Sequence, residues 1–517
     1  MNGAHDLLRT LAGSGVDVVF ANPGTSEVHL VAALDDVPAV RSVLTLFEGV
    51  ATGAADGYAR VAGRPAATLL HLGPGLANGL ANLHNARRAR SPVVNVVGDH
   101  ATYHKRFDAP LESDVDALAR TVSGWLRTCS RADDLGADTA AAVAAALGPP
   151  GCVATLVVPA DVSWSDSAAG PAAPLAAPAA PRVPGAAVDE AARALRRGGP
   201  SALLLGGAAL TARGLAAAAQ AAAATGARLL CETFPARLER GGGLPGVERL
   251  GYLPESVHAQ LRGLQDLVLV ATGRPVSFFA YPGHPGDLVP PGCSVHVLAA
   301  PGHDAAGALE ELAGALGPGS TGTTEPPPGR PSAPTGALTA AAFAAAVGVL
   351  LPEGAVVVDE ANTSGVDLPA ATSGAPRHDW LTLTGGAIGM GLPVATGAAL
   401  AAPGRRVLCL ESDGSALYTP QALWTQAREG LDVTTVVLSN RSYAIVDFEL
   451  QRATGGAGPR ARRLVDLSGP PLDIAALSVA LGVPATRATT ADELVRELRQ
   501  AIAEPGPRVV EAILATG

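Results

Sequence analysis

Asp413 and Asn440 are the two side chains of this sequence best spaced to hold a metal ion together. Each follows a short apolar run, residues 407–410 and 434–438, that reads as a buried strand. The stretch between them is helix-like, with Thr419 as an N-cap, Pro420 in the first turn and Gly430 past the end. A strand–helix–strand unit sets its two strands parallel and, if they are neighbours, about 4.8 Å apart. A carboxylate and an amide oxygen just beyond their carboxyl ends could then reach one ion. Oxygen donors of this hard type suit magnesium, which usually also holds a substrate or cofactor phosphate.

A second carboxylate, Glu48, ends a strand-like run at residues 42–47 and precedes a helix-like segment, G-V-A-T-G-A-A-D-G-Y-A-R. In open α/β sheets the space beyond the carboxyl edge is where ligands bind. His71 sits at the end of another run, 67–72, ahead of G-P-G-L-A-N-G. That glycine string lacks the G-x-G-x-x-G spacing and an acidic ribose partner, which argues against a nicotinamide-binding dehydrogenase.

The elements that must position these groups are legible as alternation. Strand-like runs fall at 16–20, 42–47, 67–72 and 93–97, then at 202–205, 228–231 and 267–271, then at 355–358, 407–410 and 434–438. Helical patterns separate them, which predicts an α/β protein of doubly wound, mostly parallel sheets. Two Pro/Ala/Gly-rich passages, 167–185 and 317–336, have linker composition. They divide the chain into three blocks of domain size, 1–166, 186–316 and 337–517.

Composition bounds the rest. With 48% hydrophobic and 16% charged residues in 517, the chain is globular, and a net charge of −10 argues against nucleic-acid binding. The five scattered cysteines read as reduced thiols of a cytoplasmic protein. Neither a signal-peptide core nor a membrane-length apolar run is visible.

The strings around these residues resemble those of thiamine diphosphate (ThDP) enzymes of the acetolactate synthase and benzoylformate decarboxylase superfamily. F-E-G-V-A-T-G-A-A-D-G-Y-A-R is similar to the family's H-E-x-x-A-x-x-A-A-D-G-Y-A-R, and S-D-G to its G-D-G triplet with a following Asn. Asn22-Pro23-Gly24-Thr25 followed by Ser26-Glu27, the turn His71–Gly75, and Gly385–Gly389 with Leu392-Pro393 match further motifs in the family's order. The resemblance implies a pyrimidine-binding (Pyr) domain, a middle domain and a diphosphate-binding (PP) domain over the three blocks.

It also implies residue roles. Asp413 and Asn440 would ligate Mg²⁺ by side chain and Ser442 by its carbonyl. Gly414, Ser415, Asn362 and Thr363 would lie against the diphosphate, while Asn22, Pro23, Gly24, Gly75 and Gly386 would contact the cofactor. Ile388 would be the wedge that bends it. Glu48 would bond the aminopyrimidine ring and, in an apolar cleft, hold its proton more readily. His71 and Thr25 would handle protons at the substrate, with one of His100 and His104 facing the same pocket. Glu48 and Asp413 would serve one cofactor from different chains, making a homodimer the minimum active unit and a tetramer of two dimers the expected assembly.

The implied activity is decarboxylation of a 2-oxo acid, with possible carboligation to a second carbonyl. Alternatives are acetolactate synthesis from two pyruvates and a non-catalytic ThDP-binding homologue. Four departures stand out. Ser412 replaces the first glycine of the triplet, and the middle-block histidine of benzoylformate decarboxylase has no clear counterpart among Ala280, Tyr281 and His284. Pro110-Leu111-Glu112 replaces the Phe-Gln-Glu string of acetolactate synthases. The flavin-domain arginine loop is also unrecognisable, which counts against FAD dependence.

Overall fold

The computed structural model describes residues 1–318 and 329–515. Part of the passage read as the second linker lies outside them. The chain forms two compact units, one of Met1–Pro178, Pro331–Ala371 and Leu383–Gly517, the other of Ala179–Arg330 and Thr372–Thr382.

The first unit holds two all-parallel arrays. One contains β1 (Val18–Ala21), β2 (Arg41–Leu44), β3 (Ala66–Leu70), β4 (Val93–Asp99), β5 (Trp125–Thr128) and β6 (Val153–Pro159), in the order β2-β1-β3-β4-β6-β5. Alternate residues feed opposite faces, as strand geometry requires. Val19, Ala21, Leu69 and Val96 pack with Leu7 and Leu11 of the N-terminal helix. Val18, Phe20, Leu70 and Val97 pack on the other face with Ala51, Ala54, Leu76 and Leu83 of α1 (Glu48–Ala62) and α2 (Leu72–Ala89). Helices on both faces explain why these strands read as unbroken apolar runs.

The second unit contains β7 (Ser201–Leu205), β8 (Arg228–Cys231), β9 (Leu238–Arg240), β10 (Glu248–Arg249), β11 (Asp266–Val270) and β12 (Ser294–Ala299). Five of them pair in parallel in the order β10-β8-β7-β11-β12. In the first unit again, β13 (Val356–Glu360) pairs with later strands, whereas β14 (His378–Thr382) belongs to the second unit and pairs antiparallel with β9. The remaining strands are β15 (Val407–Ser412), β16 (Val433–Ser439), β17 (Ala485–Ala488) and β18 (Arg508–Ile513), in the order β17-β18-β16-β15-β13.

Every run expected as a strand contains one, within a few residues. Two local expectations need correction. The strand expected at 42–47 stops at Leu44: Thr45 makes the last ladder bond, its N–H and hydroxyl both donating to Ala21 O at 2.8 and 3.1 Å, and the chain then turns into the helix that starts at Glu48. Thr419 does not cap the next helix, Gln421–Glu429: Pro420 holds that position, and the Thr419 hydroxyl donates to Gly389 O at 2.8 Å. Gly430 ends the helix at φ 62°, as expected.

Candidate active site

Glu48 is the first residue of α1 and is 6% exposed. The side-chain amides of Asn22 and Asn78 each donate to one of its oxygens, at 3.2 and 3.0 Å. Asn22 follows β1, and Asn78 lies on α2 after β3, so three adjacent strand ends converge on one carboxylate. Gly75 leaves it room: a Cβ there would sit 3.3 Å from both Glu48 Oε1 and His71 Cβ.

His71 caps the start of α2. Its Nδ1 lies 2.9 Å from Glu27 Oε2 and 3.1 Å from Ser26 Oγ. Glu27 is fully buried, and its Oε2 also accepts the Gly24 N–H at 2.9 Å. A carboxylate on Nδ1 favours the tautomer with its proton there, which leaves Nε2 to exchange protons. Gly24 is required by this packing, since a Cβ would lie 2.2 Å from His71 Nδ1. Thr25 and Pro23 are exposed on the same loop.

Glu27 carries one sequence signal, its place directly after N-P-G-T-S in a matched loop motif, and its contact with His71 is set by the fold. Glu27→Gln is expected to keep the fold but release the imidazole. The pH profile of turnover should then change shape and kcat should fall about 10-fold or more, as in loss of an orienting carboxylate. An unchanged profile would contradict this role.

His100 and His104 follow β4 with ring centroids 5.6 Å apart. His100 is half-buried and His104 exposed. Beside them Lys105 Nζ bonds Asp99 Oδ2 and Glu112 Oε1, at 2.7 and 2.8 Å, which ties this loop down. In the second unit His284 meets Glu255 at 3.3 Å and stacks on His258.

The second cluster is built on β13, β15 and β16. β15 and β16 are neighbours in parallel register, so Asp413 and Asn440 follow adjacent strand ends. Asp413 is 1% exposed, and its oxygens accept the N–H groups of Gly414 and Arg441, each at 2.8 Å. Arg441 takes a left-handed conformation, φ 59°, that turns the chain back. Asn440 Oδ1 accepts the Ser442 N–H at 3.0 Å. Burial raises the Asp413 carboxyl above its ordinary pKa, and among the described residues no cationic side chain bonds it. A buried carboxylate, an amide oxygen and the Ser442 carbonyl on adjacent strand ends fit a hard divalent cation, which would supply the missing positive charge.

Ser412 resolves the departure from G-D-G. Its backbone is extended, φ −89° and ψ 149°, so no glycine is needed. The hydroxyl donates to Glu360 O at 3.0 Å, and Asn362 Nδ2 donates to the hydroxyls of Ser412 and Ser415, each at 3.1 Å. These bonds lock the end of β13 to β15. Thr363 is exposed beside them, and Gly414 lies under the Tyr443 ring, where a Cβ would come within 2.5 Å.

Side chains of α2 reach the segment around Ile388. Asn85 exchanges two hydrogen bonds with Ala387, at 2.8 and 3.2 Å, and His84 Nε2 meets Gly385 O at 3.1 Å. Ile388 is half-buried, and Gly386 adopts φ 76° two residues earlier. Within one chain Glu48 and Asp413 share no hydrogen-bonding partner among the described residues.

The family description "Thiamine pyrophosphate enzyme, N-terminal TPP binding domain" matches residues 1–119, and its C-terminal TPP binding counterpart matches residues 368–512. A Mycobacterium tuberculosis protein provisionally named acetolactate synthase large subunit IlvX is 60% identical over 99% of both chains. Benzoylformate decarboxylase of Pseudomonas aeruginosa is 29% identical, covering 99% of this chain and 98% of that one. The solved ThDP-dependent 4-hydroxybenzoylformate decarboxylase of Rhodococcus jostii RHA1 superposes with a TM-score of 0.87 at 25% identity, over all of both chains. No described helix is long and apolar enough to cross a membrane, and the five cysteines are free thiols.

Proposed function

This chain belongs to the thiamine pyrophosphate enzyme family, and from that premise we propose that it is a ThDP- and Mg²⁺-dependent enzyme that decarboxylates a 2-oxo acid and can join the resulting unit to a second carbonyl. The observation that carries the reading is the pair of clusters: a buried carboxylate held by two amides, and an oxygen-donor set on adjacent strand ends. Residues 1–166, 186–316 and 337–517 serve as Pyr, middle and PP domains.

Bound ThDP would supply the carbanion that attacks the substrate carbonyl. The protein positions it and moves protons. Glu48 is held with its oxygens separately oriented by Asn22 and Asn78, suited to bond one pyrimidine nitrogen in a fixed direction. Asp413, Asn440 and Ser442 would hold the cation against the diphosphate, with Gly414, Ser415, Asn362 and Thr363 lining it. Asn22, Pro23, Gly24, Gly75 and Gly386 would bring backbone close to the cofactor, and Ile388 would stand between its rings. His71, oriented by Glu27, would deliver or hold a proton at the substrate through Nε2, with Thr25 and one of His100 and His104 nearby. Glu48 and Asp413 would meet around one cofactor from two chains, giving a homodimer as the smallest active unit and a dimer of dimers as the assembly.

A panel of 2-oxo acids, read by carbon dioxide release and mass spectrometry of ligation products, tests the reading. The name of the 60% identical relative favours one other outcome, acetolactate synthesis. Pyruvate separates the two: acetolactate as product supports synthesis, whereas acetaldehyde alone or no reaction counts against it.

Ser412→Gly would restore the family's triplet while removing the hydroxyl that joins β13 to β15. Each lost hydrogen bond is worth about 1 kcal/mol, and glycine adds about 0.5–1 kcal/mol of chain entropy. The expected result is a lower Tm and roughly tenfold weaker ThDP–Mg²⁺ binding by calorimetry. Tighter binding in the glycine variant would contradict the assigned role of the hydroxyl.

A further inference from the structure

Glu360 and Glu411 lie directly opposite each other on the parallel pair β13 and β15, 1% and 0% exposed. Neither bonds a lysine, arginine or histidine among the described residues.

Glu360 is committed to the segment after Ile388. Its Oε1 accepts the Gly389 N–H at 2.7 Å and its Oε2 the Gly391 N–H at 2.5 Å. Those N–H groups lie at the start of the helix Gly391–Ala401, where a negative group is favoured. Glu411 differs. Its Oε1 accepts the Ser412 N–H at 3.2 Å. Both Oε2 atoms flank Gly391, where a Cβ would lie 2.1 Å from that of Glu411 and 3.0 Å from that of Glu360.

We propose that Glu360 is a positioning residue for Ile388, its two carboxyl oxygens clamping the Gly389 and Gly391 N–H groups and so fixing the chain just after that residue. Only glycine at 391 lets both carboxyls approach the chain, and the α2 side chains grip the other end of the same segment at Gly385 and Ala387. Ile388 is therefore held from two sides. The inference rests on the assignment of this region as the cofactor site.

Two isosteric substitutions separate the roles. In Glu360→Gln an amide cannot accept both N–H groups. Exchange of the Gly389 and Gly391 amides in the cofactor-free protein should quicken by about tenfold or more. ThDP affinity and kcat should also drop about tenfold, with substrate KM at saturating cofactor little changed. Glu411→Gln leaves both Glu360 bonds in place, so amide protection and ThDP affinity should stay within about threefold of the unsubstituted protein. Glu360→Gln behaving like the unsubstituted protein, or Glu411→Gln being impaired as severely, overturns the proposal. If Glu360→Gln does not fold, Glu360→Asp decides: a side chain one methylene shorter cannot span both N–H groups, so faster exchange at the same amides supports the clamp, and unchanged exchange overturns it. ThDP uptake by the unsubstituted protein is measured alongside. Its absence defeats the cofactor-site assignment while the exchange data still judge the clamp; its presence with an indifferent Glu360→Gln defeats the clamp alone.

Discussion

Glu48→Gln should retain the fold and bind ThDP while losing nearly all turnover. The substitution keeps the shape of a side chain that is 6% exposed, and Asn22 can still donate to the remaining oxygen. What disappears is a carboxyl able to share a proton with a ring nitrogen. Positioned proton transfer is worth about 10²–10⁴ in rate, so kcat should fall by that factor. The control is cofactor uptake by calorimetry, which should change by no more than about tenfold, one hydrogen bond's worth. Full activity of the variant with ThDP bound would remove Glu48 from the mechanism.

Asp413→Asn should abolish the dependence of ThDP binding on Mg²⁺. The carboxylate is the one charged group of the donor set, and burial already disfavours its charge unless a cation arrives. An amide preserves an acceptor for the Arg441 N–H, so the turn should survive. Loss of even an outer partner of a metal ligand costs about 10–100-fold in affinity, and loss of a charged ligand should exceed that. In the unsubstituted protein, ThDP and Mg²⁺ at about 100 times Kd should stabilise the fold by about 2.7 kcal/mol. That gain should vanish in the variant, read as Tm with and without the two ligands. A variant that keeps the full Mg²⁺-dependent rise would show that the ion sits elsewhere.

The groups legible in the sequence were those tied to local pattern. Asp413 and Asn440 announced themselves because a buried parallel strand is an apolar run and the residue after it marks the sheet edge. Glu48 and His71 followed from the same rule. The central strands β3, β4, β7 and β16 were visible for the same reason, whereas the polar edge strands β5 and β17 lack that signal. Contacts set by tertiary geometry were not legible. The loop motif places Glu27 near the site, but only the approach of β1 and β3 brings it 2.9 Å from His71. Asn78 looks like a solvated helix residue, yet it meets Glu48. Thr419 has the chemistry of an N-cap, and a long-range acceptor, Gly389 O, captures its hydroxyl instead. Glu360 and Glu411 lie within strand runs, and only the register shows that they face each other.

Carbon dioxide release from a panel of aryl, alkyl and simple 2-oxo acids tests the central claim most directly. The chain should release it from at least one of them when ThDP and Mg²⁺ are both supplied, and stop when either is withheld. Release that persists without both, or none from any acid while ThDP is bound, would contradict the account.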